Sequence, residues 1–169
     1  MEYLVIDGYN VINSWKDVFD LRNESLEDCR DKLLNILSNY QGYSNVNVIV
    51  VFDAHLKKER RLKIDKYDNI TVVFTKKNMT ADHYIERFVH THSKDAVVRV
   101  VTSDYLEQSI VLTGGGIRIT PRELKEEIMR ENKNIEKGQI NIKSQTNSIL
   151  SNASEELIEW LERMRRNRF

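Results

Sequence analysis

Cysteine is almost missing from this chain. Cys29 stands alone among 169 residues, which excludes an internal disulfide framework and any cysteine-based zinc cluster. Proline is as rare, with Pro121 alone, and no long glycine-rich linker interrupts the sequence, so one compact domain over residues 1–169 is expected. No stretch approaches the ~20 apolar residues needed to cross a bilayer. Tyr3–Ile6 is too short to be the apolar centre of a secretory signal, and Asp7 ends it; the cytoplasm is the expected compartment. An excess of one charge is absent too. The 26 basic residues balance 26 acidic ones, so bulk charge gives no reason to bind a polyanion. The distribution does. Residues 57–77 hold Lys57, Lys58, Arg60, Arg61, Lys63, Lys66, Lys76 and Lys77 against Glu59, Asp65 and Asp68, and Arg163, Arg165, Arg166 and Arg168 close the chain. Such clusters can hold a nucleic acid locally, or be solvated surface.

Apolar residues are present in short, β-branched runs: Tyr3–Ile6, Val46–Phe52, Ile70–Thr75 and Val97–Thr102, with a weaker run at Ile117–Ile119 after Gly114–Gly116. They are continuous rather than alternating, as in strands covered on both faces. Amphipathic segments separate them. Leu26, Cys29, Leu33, Ile36, Leu37 and Tyr40 follow helical spacing, with Ser25 as cap and Gly42 as stop. Ile85, Phe88, Val89 and His92 line a second helix beginning after Thr80, and Tyr105–Thr113 form a third. Thr120-Pro121-Arg122-Glu123 is a capping box that opens a helix to about Lys137. Residues 138–152 read as loop and 154–167 as a last helix burying Leu157, Ile158 and Leu161. Strand and helix in alternation predict an α/β fold with a central parallel sheet, right-handed crossovers and a site outside the carboxyl ends of the strands.

Aspartates fall at that edge. Asp7 follows the first strand, Asp53 the second, Asp104 the fourth after one residue, and Asp82 lies in the first turn of the helix after the third. Singly, each has a structural explanation, since Asp caps helices and stabilises βα loops. Jointly, four converging carboxylates repel one another unless a cation lies among them. Oxygen ligands of this kind suit Mg²⁺ or Mn²⁺ rather than zinc, and such an ion can serve in-line attack on a phosphodiester. Asn10 can orient water or meet a phosphate, Ser103 can help as a hydrogen-bond donor, and Gly8 permits close backbone approach. Tyr9 either stacks on a base or packs in the core, the latter being the commoner fate. His90 and His92, two apart, do not form a zinc pair; His55 and His83 neighbour Asp53 and Asp82 and are candidates for outer-shell or substrate roles.

The strings "VIDGYNVIN", "VVFDAH", "TADHYIERF", "VVTSDYLEQ" and "GGGIRITPREL", in this order from the N-terminus to Leu124, resemble NYN-domain proteins of the PIN-like nuclease superfamily, and among these the YacP-like group. The resemblance implies a three-layer α/β/α sandwich and endonucleolytic cleavage of RNA. It implies Asp7, Asp53, Asp82 and Asp104 as ligands of Mg²⁺ or Mn²⁺, with Asn10 beside them, and Asp7, Asn10, Asp82 and Asp104 as catalytic residues. For the YacP-like group it implies ribosome-dependent cleavage of mRNA, which makes the ribosome an expected partner. Where that group often carries Gly-Glu before Thr-Ala-Asp, this chain has Lys76-Lys77-Asn78-Met79, a more basic and bulkier loop. Lys57, Lys58, Arg60, Arg61, Lys63, Lys76 and Lys77 are the expected RNA-binding residues. Two other readings stand beside the endoribonuclease. One is a non-catalytic RNA- or ribosome-binding module with a vestigial site. The other is a receiver-like phosphoacceptor at Asp53, disfavoured because Asp7 is followed by Gly8 rather than a second acid.

Overall fold

A computed structural model describes residues 1–53 and 61–135. The chain divides into two compact units, Met1–Glu126 and Glu127–Phe169. In the second, the described residues 127–135 are helical; the expected loop at 138–152 and helix at 154–167 lie outside the described residues.

The first unit runs β1 (Glu2–Asp7), α1 (Gly8–Ser14), α2 (Leu26–Tyr43), β2 (Asn47–Phe52), β3 (Lys63–Tyr67), β4 (Ile70–Phe74), α3 (Ala81–His92), β5 (Val97–Val101), α4 (Tyr105–Thr113) and β6 (Ile117–Ile119). The helix α5 follows from residue 121. The six strands form one sheet in the order β3-β4-β2-β1-β5-β6. All neighbours are parallel except β3 and β4, which are antiparallel. The three-layer α/β/α arrangement with a mostly parallel centre is thus present, with an antiparallel edge strand that the sequence reading did not anticipate.

Alternation along the central strands sends side chains to both faces. Val5, Val51, Val73, Val98 and Val100 meet Ala81, Ile85 and Val89 of α3 and Val111 of α4. The opposite set, Leu4, Ile6, Val48, Val50, Phe52 and Val72, is equally buried, and α1 and α2 pack on that part of the sheet. Continuous apolar strands are the consequence of this double cover. The helices begin where their caps dictate. The Ser25 side chain accepts from the Asp28 amide, Thr80 from His83, and Asp104 from Leu106 and Glu107. At α5 the capping box closes in both directions: the Thr120 amide donates to Glu123 at 2.7 Å, and the Glu123 amide to the Thr120 hydroxyl at 3.2 Å. Helix α2 runs one residue past Gly42, to Tyr43.

This topology fixes the location of a site. From β1 the sheet grows through β2 and β4 to one side, then through β5 and β6 to the other. The crevice outside the carboxyl ends of β1 and β5 is therefore the topological switch point, where open α/β sheets bind their ligands.

Candidate metal centre

Three carboxylates meet at that crevice. Asp7, Asp82 and Glu107 each offer one oxygen, and these oxygens all lie within 4.8 Å of one another. Each is delivered by a helix start. Asp7 ends β1 and caps α1, accepting the Asn10 amide at 3.2 Å. Asp82 lies in the first turn of α3, behind the Thr80 cap. Glu107 lies in the first turn of α4, which Asp104 caps by accepting the amides of Leu106 at 2.8 Å and of Glu107 itself at 3.3 Å. Three helix N-termini facing one point supply partial positive charge, which moderates the repulsion without removing it.

What remains is visible in the titration of the cluster. Burial, above all, pushes the Glu107 carboxyl up to about 8, with the Asp7, Asp82 and Asp104 charges adding to it and the Thr102 hydroxyl opposing it. Only 4% of Glu107 is exposed, and neither carboxylate oxygen has a hydrogen-bond partner of ordinary geometry. Such a group is costly to bury alone. Asp7 is raised to about 6, first by burial and then by Asp82 and Asp53, against the Asn10 amide that lowers it. Asp82, which is exposed, is raised by partial burial and by Asp104 and Asp53. Two unmatched buried oxygens beside two further carboxylates form an all-oxygen donor set that a divalent hard cation would complete.

The structure brings together Asp7, expected from a strand end, and Asp82, expected from a helix start, and adds Glu107, which sequence reasoning missed. A first-turn glutamate reads as an ordinary response to the helix dipole; the usable signal was its position on the one helix face that is buried, between Asp104 and Val111. Asp53 and Asp104 stay outside the close set while acting on it electrostatically. The Asp53 carboxylate accepts from the Thr75 hydroxyl at 3.5 Å, and Asp104 serves α4 as its cap.

Asn10 and Ser103 form one unit. Both the backbone amide and the hydroxyl of Ser103 donate to Asn10 Oδ1, each at 2.8 Å, across 93 positions of sequence. Two donors on one oxygen fix the amide orientation, so Asn10 offers its NH₂ end to any ligand. The contact also ties α1 to the loop after β5, across the switch point. Gly8 is required by packing: a Cβ there would collide with the Phe52 ring. Tyr9 takes the core option. Its ring packs on Phe52 with centroids 5.1 Å apart, and its hydroxyl accepts from Arg30 at 3.2 Å.

The expected RNA contacts divide. Arg61, Lys76 and Lys77 are exposed, and the two lysines occupy the loop between β4 and α3, next to Asp82 in the chain. Lys63, in β3, pairs with Asp65 at 2.6 Å. Lys57, Lys58, Arg60, His55 and the arginine-rich end lie outside the described residues. His92 is a packing residue, stacked on Phe88 at 4.0 Å with Nδ1 against the Phe88 carbonyl. His90 shares the last turn of α3, and His83, at its start, exerts a small lowering influence on Asp82.

Comparison with known proteins agrees with this architecture. Residues 4–166 match the family model for the YacP-like NYN domain. The chain is 38% identical over 167 residues to the uncharacterized protein YacP of Bacillus subtilis (strain 168), covering 98% of each chain. Among solved structures, the crystal structure of Rae1 (YacP) from Bacillus subtilis is similar with a TM-score of 0.70 at 37% identity, over 99% of this chain and 96% of that one. A single-substitution mutant of the same protein gives 0.67 at 37% identity, over 80% and 79%.

Proposed function

The chain belongs to the YacP-like NYN domain family, and from that membership and its carboxylate cluster we propose that it is a divalent-metal-dependent endoribonuclease. The observation that carries the reading is the convergence of Asp7, Asp82 and Glu107 at the switch point, with two buried oxygens left unmatched. In this reading the three carboxylates hold Mg²⁺ or Mn²⁺, Asp53 flanks them, and Asp104 sets Glu107 by capping its helix. A bound ion of this kind supplies Lewis acidity for in-line displacement at a phosphodiester. The residues of the chain do the positioning. Asn10, locked by Ser103, presents its NH₂ to a phosphate oxygen. Lys76 and Lys77, with Arg61, draw the backbone of the strand toward an edge that is otherwise acidic. The substrate is mRNA and the setting the cytoplasmic ribosome, as the family resemblance implies; among the described residues no helix is long and apolar enough to cross a membrane.

The test is cleavage of labelled mRNA with Mn²⁺, on translating ribosomes and free, by the native protein and by Asp82→Asn. Asp82 is exposed, so the variant keeps its fold, and its cleavage should vanish. Cutting by Asp82→Asn at the native rate, or no cutting by the native protein on either substrate, would end this reading.

A further inference from the structure

The first turn of α4 carries two large apolar side chains in solvent. Tyr105 is 79% exposed and Leu106 73%, directly between Asp104 and Glu107. Neither position is forced by packing, because the buried side of α4 is formed by Glu107 and Val111. Tyr105 also differs from the other tyrosines. Of the seven in the chain, Tyr3, Tyr9, Tyr40, Tyr43 and Tyr84 pack against other rings, and the Tyr67 hydroxyl donates to Asn35. Of the seven tyrosines, Tyr105 alone has neither a ring contact nor a side-chain hydrogen bond among the described residues. The described part of the fold makes no use of its side chain.

The surroundings explain what would. A polyanion approaching the acidic cluster is repelled by its carboxylates, and attraction must come from elsewhere. On the α3 side the Lys76–Lys77 loop supplies positive charge. Helix α4 itself supplies none: Tyr105–Thr113 contains no lysine or arginine, and of the basic residues that follow it in the first unit, Arg122 is paired with Glu126 and Lys125 with Asp17, leaving Arg118 of β6 exposed. A strand passing over the first turn of α4 meets no positive charge on that helix, and an exposed aromatic face gives a contact independent of charge to any unpaired base.

We propose that Tyr105, with Leu106 beside it, is the platform on which one unpaired base of a single-stranded RNA stacks as the strand passes the acidic cluster. This rests on the nuclease reading for its ligand and deepens it: the substrate is unpaired at the site, and base identity matters little, because every base has a stacking face. The lysine loop holds phosphates and Tyr105 holds a base, on opposite flanks of the carboxylates.

The two kinds of contact separate by their salt dependence. A phosphate contact contributes to the slope of affinity against salt; a stacking contact changes affinity and leaves the slope alone. The experiment titrates a short unstructured RNA carrying one 2-aminopurine into Asp82→Asn protein, with Tyr105 native or changed to Phe, Trp or Ala, at several salt concentrations. Tyr105→Ala should bind roughly 5- to 100-fold more weakly, with an unchanged salt slope and loss of 2-aminopurine quenching. Phe and Trp should restore both. Affinity indifferent to Tyr105→Ala, equal loss in the Phe and Ala variants, a shallower salt slope, or no binding of this RNA at all would overturn the proposal. Failure of the nuclease reading would look different: RNA bound with full Tyr105 dependence, and no cutting by the Asp82-containing protein.

Discussion

Replacing Glu107 by glutamine should make the metal-free protein more stable at pH 8. The side chain is nearly fully buried, neither oxygen has a hydrogen-bond partner of ordinary geometry, and its carboxyl is raised from 4.5 to about 8. The sign follows from proton linkage. Between those two values the unfolded chain gives up its proton while the folded protein keeps it, so stability falls as pH rises through that window. Above the upper value the whole penalty is present, roughly 4–5 kcal/mol for a displacement of that size. Glutamine removes the ionisation and keeps the shape. The Asp7 and Asp82 carboxylates lie within 4.8 Å of the Glu107 oxygen and can accept from the new amide after a small shift, so the variant should gain about 2–4 kcal/mol over the native protein at pH 8 and almost nothing at pH 5. The step from Asp7, centred near 6, stays in both proteins, so the variant's pH dependence is reduced rather than abolished. Urea unfolding in EDTA at the two pH values measures this through the midpoint, with the m-value constant. Added Mn²⁺ should then raise the native midpoint at pH 8 far more than that of the variant. A Glu107→Gln protein that is less stable than native at pH 8, or a native stability that does not fall from pH 5 to pH 8, would refute the reasoning.

Two further outcomes follow from contacts at the same edge. Gly8→Ala drives a methyl group into the fully buried Phe52 ring and should cost about 1–3 kcal/mol; Phe52→Leu in the same chain should return part of that loss, and melting temperatures of the three proteins decide it. Changing Lys76 and Lys77 to Gln should weaken single-stranded RNA binding and reduce its log–log salt slope by about 0.7 for each phosphate no longer neutralised; an unchanged slope would remove the loop from the RNA path.

The parts of the fold that could be read in the sequence are those where one physical effect dominates. The central strands are buried on both faces, so their apolar runs are continuous, and Ser25, Thr80 and the Thr120–Glu123 box mark helix starts by local hydrogen bonding alone. Two elements escaped because their causes are tertiary. Gly8–Ser14 contains valine, isoleucine and two asparagines, poor helix formers, and spans barely two turns; the Asp7 cap and the burial of Val11 and Ile12 make it helical. Lys63–Tyr67 carries charge at three of its five positions, and its Ile64 is 57% exposed. It is a strand because β4 offers it an edge, and its lysines suit an edge that must not pair further. At the site, strand-end logic found Asp7 and Asp82 but searched only strand ends and a helix start next to them. Glu107 is one turn into its helix, and its isolation from hydrogen-bond partners is a property of the folded interior that no spacing encodes.

The Asn10–Ser103 contact has a consequence for the order of synthesis. β1 is the first strand of this sheet to be synthesised and takes a central place in it, with β2 on one side and β5 on the other. While β5 and α4 are still unmade, a nascent chain can lay β1 against β2, but it lacks the other neighbour of that strand, the donor pair that clamps Asn10, and the buried glutamate. The acidic site therefore closes in one late event, after Glu107 has emerged, and earlier fragments present separate aspartates with no shared cage. The arrangement works as a timer: the three carboxylates come together only with the nearly finished sheet.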